Sequence, residues 1–182
     1  MHHFPSKRFN GSVYSFQHLS PTEHAVSLNA ANTVLVKIQI RYSIHCFTVA
    51  FDSAVHRDHH KYAYATEIRA FDLERYRCSL YLPALITNLS RVKVYRARKD
   101  NYTYVAKIFL GGQTKPYSIF FELRKRSETT EPTVQMYVQS AYLSPLKVSP
   151  HAQSWRFGSL VGQLTGVFPP AAKKKQPKKK AP

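Results

Sequence analysis

Two periods run along this chain and divide it. From Val34 the apolar residues Val36, Ile38 and Ile40 alternate with Lys37, Gln39 and Arg41, and the run continues through Tyr42, Ile44, Cys46, Phe47, Val49 and Phe51. Alternation at period two places successive side chains on opposite faces, which predicts a long strand or two joined strands. His45 falls inside that run. Tyr62, Tyr64, Thr66 and Ile68 alternate again and predict another strand to about Phe71. The pattern then changes to helical spacing. Leu73, Tyr76 and Leu80 form one stripe, with Asp72 as cap and Glu74 in the first turn, and Pro83 kinks or restarts the helix before Leu85, Ile86 and Leu89. Four further strands are predicted at Arg91 to Ala97, Tyr102 to Leu110, Pro116 to Arg124 and Thr133 to Leu143. Their short links make an antiparallel meander, with its last strand carrying Val134, Met136 and Val138 toward the helices.

The expected fold class is therefore α+β: a helical pair packed on a four-stranded antiparallel meander, preceded by one or two further strands. Residues 1–32, broken by Pro5, Gly11 and Pro21, read as a loosely docked N-terminal arm, and 33–145 as the core domain. Residues 146–168, around Trp155, Phe157, Leu160 and Leu164, read as a C-terminal docking segment, and 169–182 as a disordered Lys/Pro-rich tail.

Charge adds what the periods do not. The 182 residues hold 27 Lys and Arg against 10 Asp and Glu, a formal charge of +17. Six of the cations are Lys173, Lys174, Lys175, Lys178, Lys179 and Lys180 in the tail, so the rest of the chain still carries +11. Such a body attracts polyanions, because each phosphate it neutralises releases a counterion. Nucleic acid, RNA above all, is the expected partner, with an acidic inhibitor protein as a further expected one. No stretch approaches the roughly 20 apolar residues of a bilayer span, and the start has no apolar leader core, so a cytoplasmic protein without a membrane partner is expected. Cys46 and Cys78 stand far apart without Cys-x-x-Cys spacing, which suggests neither a disulfide framework nor structural zinc.

The chemistry-bearing groups fall in three places. At the end of the last strand, Ser140 and Tyr142 are read as sharing a face with Val134, Met136 and Val138, with Lys107 and Lys115 at the neighbouring strand ends. On the first hairpin, Tyr95, Arg96, Arg98, Lys99, Tyr102 and Tyr104 interleave rings with cations, a surface that stacks unpaired bases while holding their backbone. The third place is the loop with His56, Asp58, His59 and His60, whose spacing fits no metal template and reads as a solvated surface loop. No phosphate-cradling glycine motif occurs and no cofactor is expected.

Helices followed by a four-stranded meander whose last strand reads Val138, Gln139, Ser140, Ala141, Tyr142 resemble the barnase, EndoU, colicin and RelE-like ribonuclease superfamily, over about residues 72–143. The resemblance implies a toxin-like, metal-independent endoribonuclease of bacterial type, in which Ser140 and Tyr142 carry over. Many branches hold a catalytic His on a helix, whereas here no His lies between His60 and His151. Cleavage through the 2′-hydroxyl needs a base, an acid and cations, roles that His45, Tyr142 and Arg75 fill in that order, with Arg77 beside them. The rival expectation is a basic nucleic-acid-binding accessory protein with no assembled acid-base pair.

Overall fold

A computed structural model describes residues 4–29, 34–98, 101–126, 133–144 and 152–169. Two short strands, β1 (Lys7–Phe9) and β2 (Ser12–Tyr14), pair with each other. They are followed by β3 (Thr22–Ser27), β4 (Leu35–Tyr42), β5 (Thr48–Ala50), β6 (Lys61–Tyr64) and β7 (Glu67–Phe71). Next come the helices α1 (Leu73–Ser79) and α2 (Leu82–Thr87), then β8 (Lys93–Arg98), β9 (Asn101–Leu110), β10 (Gln113–Arg126), β11 (Thr133–Leu143), β12 (Ser154–Arg156) and helix α3 (Phe157–Thr165).

The expected helical pair on a four-stranded meander is not the fold. Seven strands form one mixed sheet in the order β12-β8-β9-β10-β11-β4-β3, and β5-β7-β6 form a second, smaller sheet. The meander is a part of the large sheet. It gains β4, which lies parallel to β11, and β3 as an antiparallel edge beyond it. A parallel neighbour needs a long crossover, and here ninety residues lie between Tyr42 and Thr133, so local periodicity carries no trace of the pairing. The expected run from Val34 to Phe51 is divided in the same way. β4 stops at Tyr42, a single 3-10 turn at Ile44–Cys46 carries His45, and β5 joins the other sheet. His45 is therefore on a turn between sheets and not on a strand.

One face of the large sheet is covered. Val36, Ile38, Ile40, Met136, Val138, Ile119, Phe121 and Leu123 are buried together with Leu82, Ile86 and Leu89 from the α2 region and Phe157, Leu160 and Val161 from α3. Leu80, expected in this interface, is instead 51% exposed. Asp72 caps α1 through a 2.7 Å bond that its carboxylate accepts from the backbone N–H of Arg75, and Pro83 sits in the first turn of α2, where its missing N–H costs nothing. Between β9 and β10 the chain reverses at Gly111 and Gly112, with φ of +59° and +78°, the left-handed pair that a two-residue hairpin demands.

The N-terminal arm is not loosely docked. Phe16 is 2% and Leu19 1% exposed, and Phe16 stacks on Phe47 with ring centres 3.9 Å apart, beneath Tyr62 and Phe71. On the same segment His18 shares a 2.8 Å hydrogen bond with the Ser79 hydroxyl, and burial lowers its pKa to about 4. A His held neutral in the fold contributes stability above its unfolded value near 6.5 and loses it as the pH falls toward 4. The loss is on the order of 1 to 2 kcal/mol after allowance for its partial exposure. Denaturant melts at pH 7 and pH 4 should show that loss in the wild type and a smaller one in His18→Gln. Equal losses in the two proteins would assign the acid sensitivity elsewhere.

Candidate nucleic-acid interface

Strand alternation that buries one face of the sheet presents the other. The partners across that second face run in rows: Arg126, Thr133 and Lys37; Arg124, Gln135, Gln39 and Glu23; then Glu122, Tyr137 and Arg41. Side-chain contacts confirm the shared face. Arg126 donates to the Gln39 amide oxygen at 2.9 Å, Gln39 donates to Glu23 at 3.3 Å, and Arg124 pairs with Glu122 at 2.6 Å. Around Tyr137, Arg41 and Arg124 no helix covers this surface among the described residues, whereas toward the other end Thr103 and Ser118 on the same face are buried. Tyr137 is 43% and Phe109 63% exposed, and Lys37, Arg41, Lys107 and Arg124 are exposed with them. At the β8 and β12 end Lys93 and Arg156 face each other in register, next to Tyr95. The face thus carries Lys37, Arg41, Lys93, Lys107, Arg124, Arg126 and Arg156 against Glu23 and Glu122.

A β-bulge decides where Ser140 and Tyr142 point. β11 pairs Val138 with Phe121 but Ser140 with Phe120, so Gln139 is an extra residue and the alternation inverts past it. Ala141 joins the core, and Ser140 and Tyr142 turn to the open face, opposite to the expected side. Tyr142 stacks on Phe120 there, with centres 5.3 Å apart.

At this end of the sheet the 3-10 turn brings in the smaller sheet. The His45 Nε2 lies 2.9 Å from a Glu67 carboxylate oxygen. The Arg75 guanidinium sits 4.9 Å over the Tyr142 ring while one of its nitrogens donates to the carbonyls of His45, at 3.1 Å, and Thr48, at 3.0 Å. Arg69 donates to the Thr48 hydroxyl at 2.8 Å. Burial lowers the pKa of Arg69, and the like charge of Arg75 lowers it further while Glu67 opposes both. Two guanidiniums thus share one partly desolvated corner, an arrangement that an anion relieves. Asp72, Glu74, Arg75, Cys78 and Tyr142 line a pocket of about 210 Å³ beside them, and Lys115 reaches Glu74 at 4.0 Å. Cys78 lends no nucleophile: burial pushes its thiol up to about 11, and that of Cys46 to about 12.

The structure therefore brings together three of the expected catalytic residues, His45, Arg75 and Tyr142, through Arg75, with Ser140 two residues along the same face. The His45 imidazole turns to Glu67, not to Tyr142. Glu67 and Arg69 were absent from the sequence reading, because their approach to His45 depends on the hairpin of β6 and β7 folding back. Of the expected base-stacking hairpin, Tyr102 does not qualify: it is 5% exposed, with its ring against Phe121 and Trp155. Tyr95 and Arg96 stay on β8, which Arg98 ends, and Arg77 is exposed on α1. Lys99 and the six tail lysines lie outside the described residues.

A larger cavity, about 560 Å³, opens beside Glu67. In the histidine loop the rings of His59 and His60 lie 4.1 Å apart, and backbone N–H groups of Asp52 and Arg57 donate to the Nδ1 atoms of His56 and His60. Those bonds favour the tautomer with the proton on Nε2. Among the described residues no cluster of three or more His, Cys, Asp or Glu is placed to hold a metal ion, and no helix is long and apolar enough to cross a membrane.

Comparison with known proteins returns no match among curated proteins and none among solved structures. One family profile matches, described as the YjaZ family, and that description names no activity. The match spans residues 6–165, which takes in all three sheets and all three α-helices of the described residues and the corner just described, and the chain belongs to the YjaZ family.

Proposed function

We propose that this protein binds single-stranded RNA across the open face of its large sheet. The observation that carries the reading is the composition of that face: seven cations and the rings of Tyr95, Phe109, Phe120 and Tyr137, against two carboxylates. A sheet that buries one side in helices and offers rings on the other suits an unpaired strand, whose bases stack on the rings while Lys and Arg follow the phosphates. Duplexes fit less well, because their bases are already stacked on one another. Tyr137 is the most accessible of the described tyrosines on the face, so its loss is the direct test. Stacking is worth roughly 1 to 3 kcal/mol per base, so Tyr137→Ala should weaken binding of a short oligoribonucleotide about 5- to 150-fold. Tyr137→Trp should keep it. Equal affinity of wild type and Tyr137→Ala in a fluorescence titration would remove the open face as the binding surface.

A second reading has one observation in its favour, the His45–Glu67 pair beside Arg69 and Arg75. An imidazole held by a carboxylate next to two guanidiniums has the parts of an endoribonuclease centre: a proton acceptor for the 2′-hydroxyl and cations for the crowded phosphate. Its test is cleavage of RNA, and not of DNA, in the presence of a chelator.

A further inference from the structure

The cavity of about 560 Å³ has the size of a small-molecule site, for which the usual range is about 300–1,000 Å³. Its floor is Tyr42, Ser43 and Ile44 at the end of β4, and its far wall is the turn from Tyr64 to Glu67. Phe4 closes one side and is itself held, edge to face, by Tyr64 at 5.0 Å and Phe47 at 5.3 Å, so this wall is anchored in the core. Rings and apolar side chains thus line it together with a few polar residues, Arg41, Ser43, Thr66 and Glu67. At the turn Ala65 is held at φ +51°, a left-handed conformation that costs a residue with a β-carbon on the order of 1 to 3 kcal/mol. Such strain is kept where the surroundings over-determine it, and here it shapes the cavity wall.

One further fact selects the ligand. Arg41 and Tyr137 line this cavity and also a second one, of about 400 Å³, that lies on the open face between Gln39, Glu122, Arg124 and Gln135. The cavity therefore adjoins the surface proposed for the RNA strand, with Arg41 and Tyr137 between them. A flat ring with hydrogen-bonding groups on its edge is the chemistry that aromatic walls, a guanidinium and a carboxylate recognise together. We propose that the cavity is a subsite for one nucleobase, turned out of the strand that crosses the open face. This assignment rests on the single-strand reading for its occupant. The cavity then selects among bases, while the open face holds any sequence.

Mononucleotides separate the two ideas, since they reach the cavity without a strand. By ligand-detected NMR at constant salt, at least one of AMP, CMP, GMP and UMP should bind tenfold or more tightly than ribose 5-phosphate. Thr66→Trp and Pro21→Trp place a large ring in the cavity from two separate segments of its lining, and both positions are exposed. Each should abolish that difference and flatten the ranking of the four homopolymeric oligoribonucleotides to within twofold, with the melting temperature retained. If ribose 5-phosphate binds as well as every nucleotide, or if both filled variants keep the wild-type nucleotide affinity, the subsite does not exist. Mononucleotide binding in a protein that binds no oligonucleotide would overturn the open-face reading and leave the cavity as a base site.

Discussion

Binding of single-stranded RNA is expected to fall about a thousandfold when the salt is raised from about 50 to about 200 mM. The expectation follows from the count on the open face, where Lys37, Arg41, Lys93, Lys107, Arg124, Arg126 and Arg156 face one way. For a single strand each neutralised phosphate contributes about −0.7 to the slope of log affinity against log salt, so seven contacts give a slope near −5. Removal of one cation should then lower the slope by about 0.7 while leaving base preference alone. Lys107→Ala is the cleanest choice, because Lys107 is exposed and no contact shown ties it into the fold. Deleting residues 171–182 removes six lysines and should flatten the slope without ending binding, since the sheet face remains. A salt-independent affinity would mean that the charge serves something other than a polyanion.

The face that carries this prediction was half legible in the sequence. Lys37, Gln39 and Arg41 alternate with Val36, Ile38 and Ile40 in plain view, and alternation alone assigns the first set to the side away from the core. Nothing local says that this strand lies beside Thr133 to Val138. That pairing is parallel and non-local, and it converts a four-stranded meander into part of a seven-stranded sheet. The bulge at Gln139 was equally hidden. Period-two logic assigns Ser140 and Tyr142 to the buried side of Val138, and one extra residue reverses the assignment. β3 escaped notice for a different reason: only Val26 of its six residues is buried, so an edge strand of Thr, Glu, His, Ala, Val and Ser has too little apolar signal to stand out. The Asp72 cap and the Gly111–Gly112 turn were readable because each is settled within four residues.

The corner site shows the same division between residue type and placement. His45, Arg75 and Tyr142 are recognisable as chemistry in the sequence, but which of them meet depends on where two sheets join. The 3-10 turn, through the carbonyls of His45 and Thr48, fixes Arg75, and Arg75 in turn lies over Tyr142. Glu67 reaches His45 from the second sheet. The fold thus joins the corner of Arg69 and Arg75 to the sheet through Arg75 over Tyr142, with the larger cavity lined by Glu67.

If that corner cuts the strand, purified protein should cleave single-stranded RNA with a chelator present and leave DNA of the same sequence intact, because DNA lacks the internal nucleophile. In the balanced step His45 takes the proton of the 2′-hydroxyl, the 2′-oxygen forms a bond to phosphorus, and the bond from phosphorus to the 5′-oxygen breaks. A proton from the Tyr142 hydroxyl goes to the leaving oxygen, so the products are a 2′,3′-cyclic phosphate and a 5′-hydroxyl. General acid–base groups of this kind contribute about 10²- to 10⁴-fold, so His45→Ala should lower kcat by that factor with KM little changed. Tyr142→Phe keeps the ring under Arg75 and removes only the acid, so it too should act on kcat. Glu67→Gln keeps a hydrogen-bonding side chain but not the charge that steadies an imidazolium, and a loss of about tenfold to a hundredfold is expected from a positioning residue. Ser140→Ala should cost least if its hydroxyl only helps to seat the phosphate. Arg75→Ala is the poorer probe, since it also frees two backbone carbonyls that hold the turn. RNA that is bound with the expected salt dependence yet recovered at full length would end the cleavage reading and leave a protein whose open face holds single strands without breaking them.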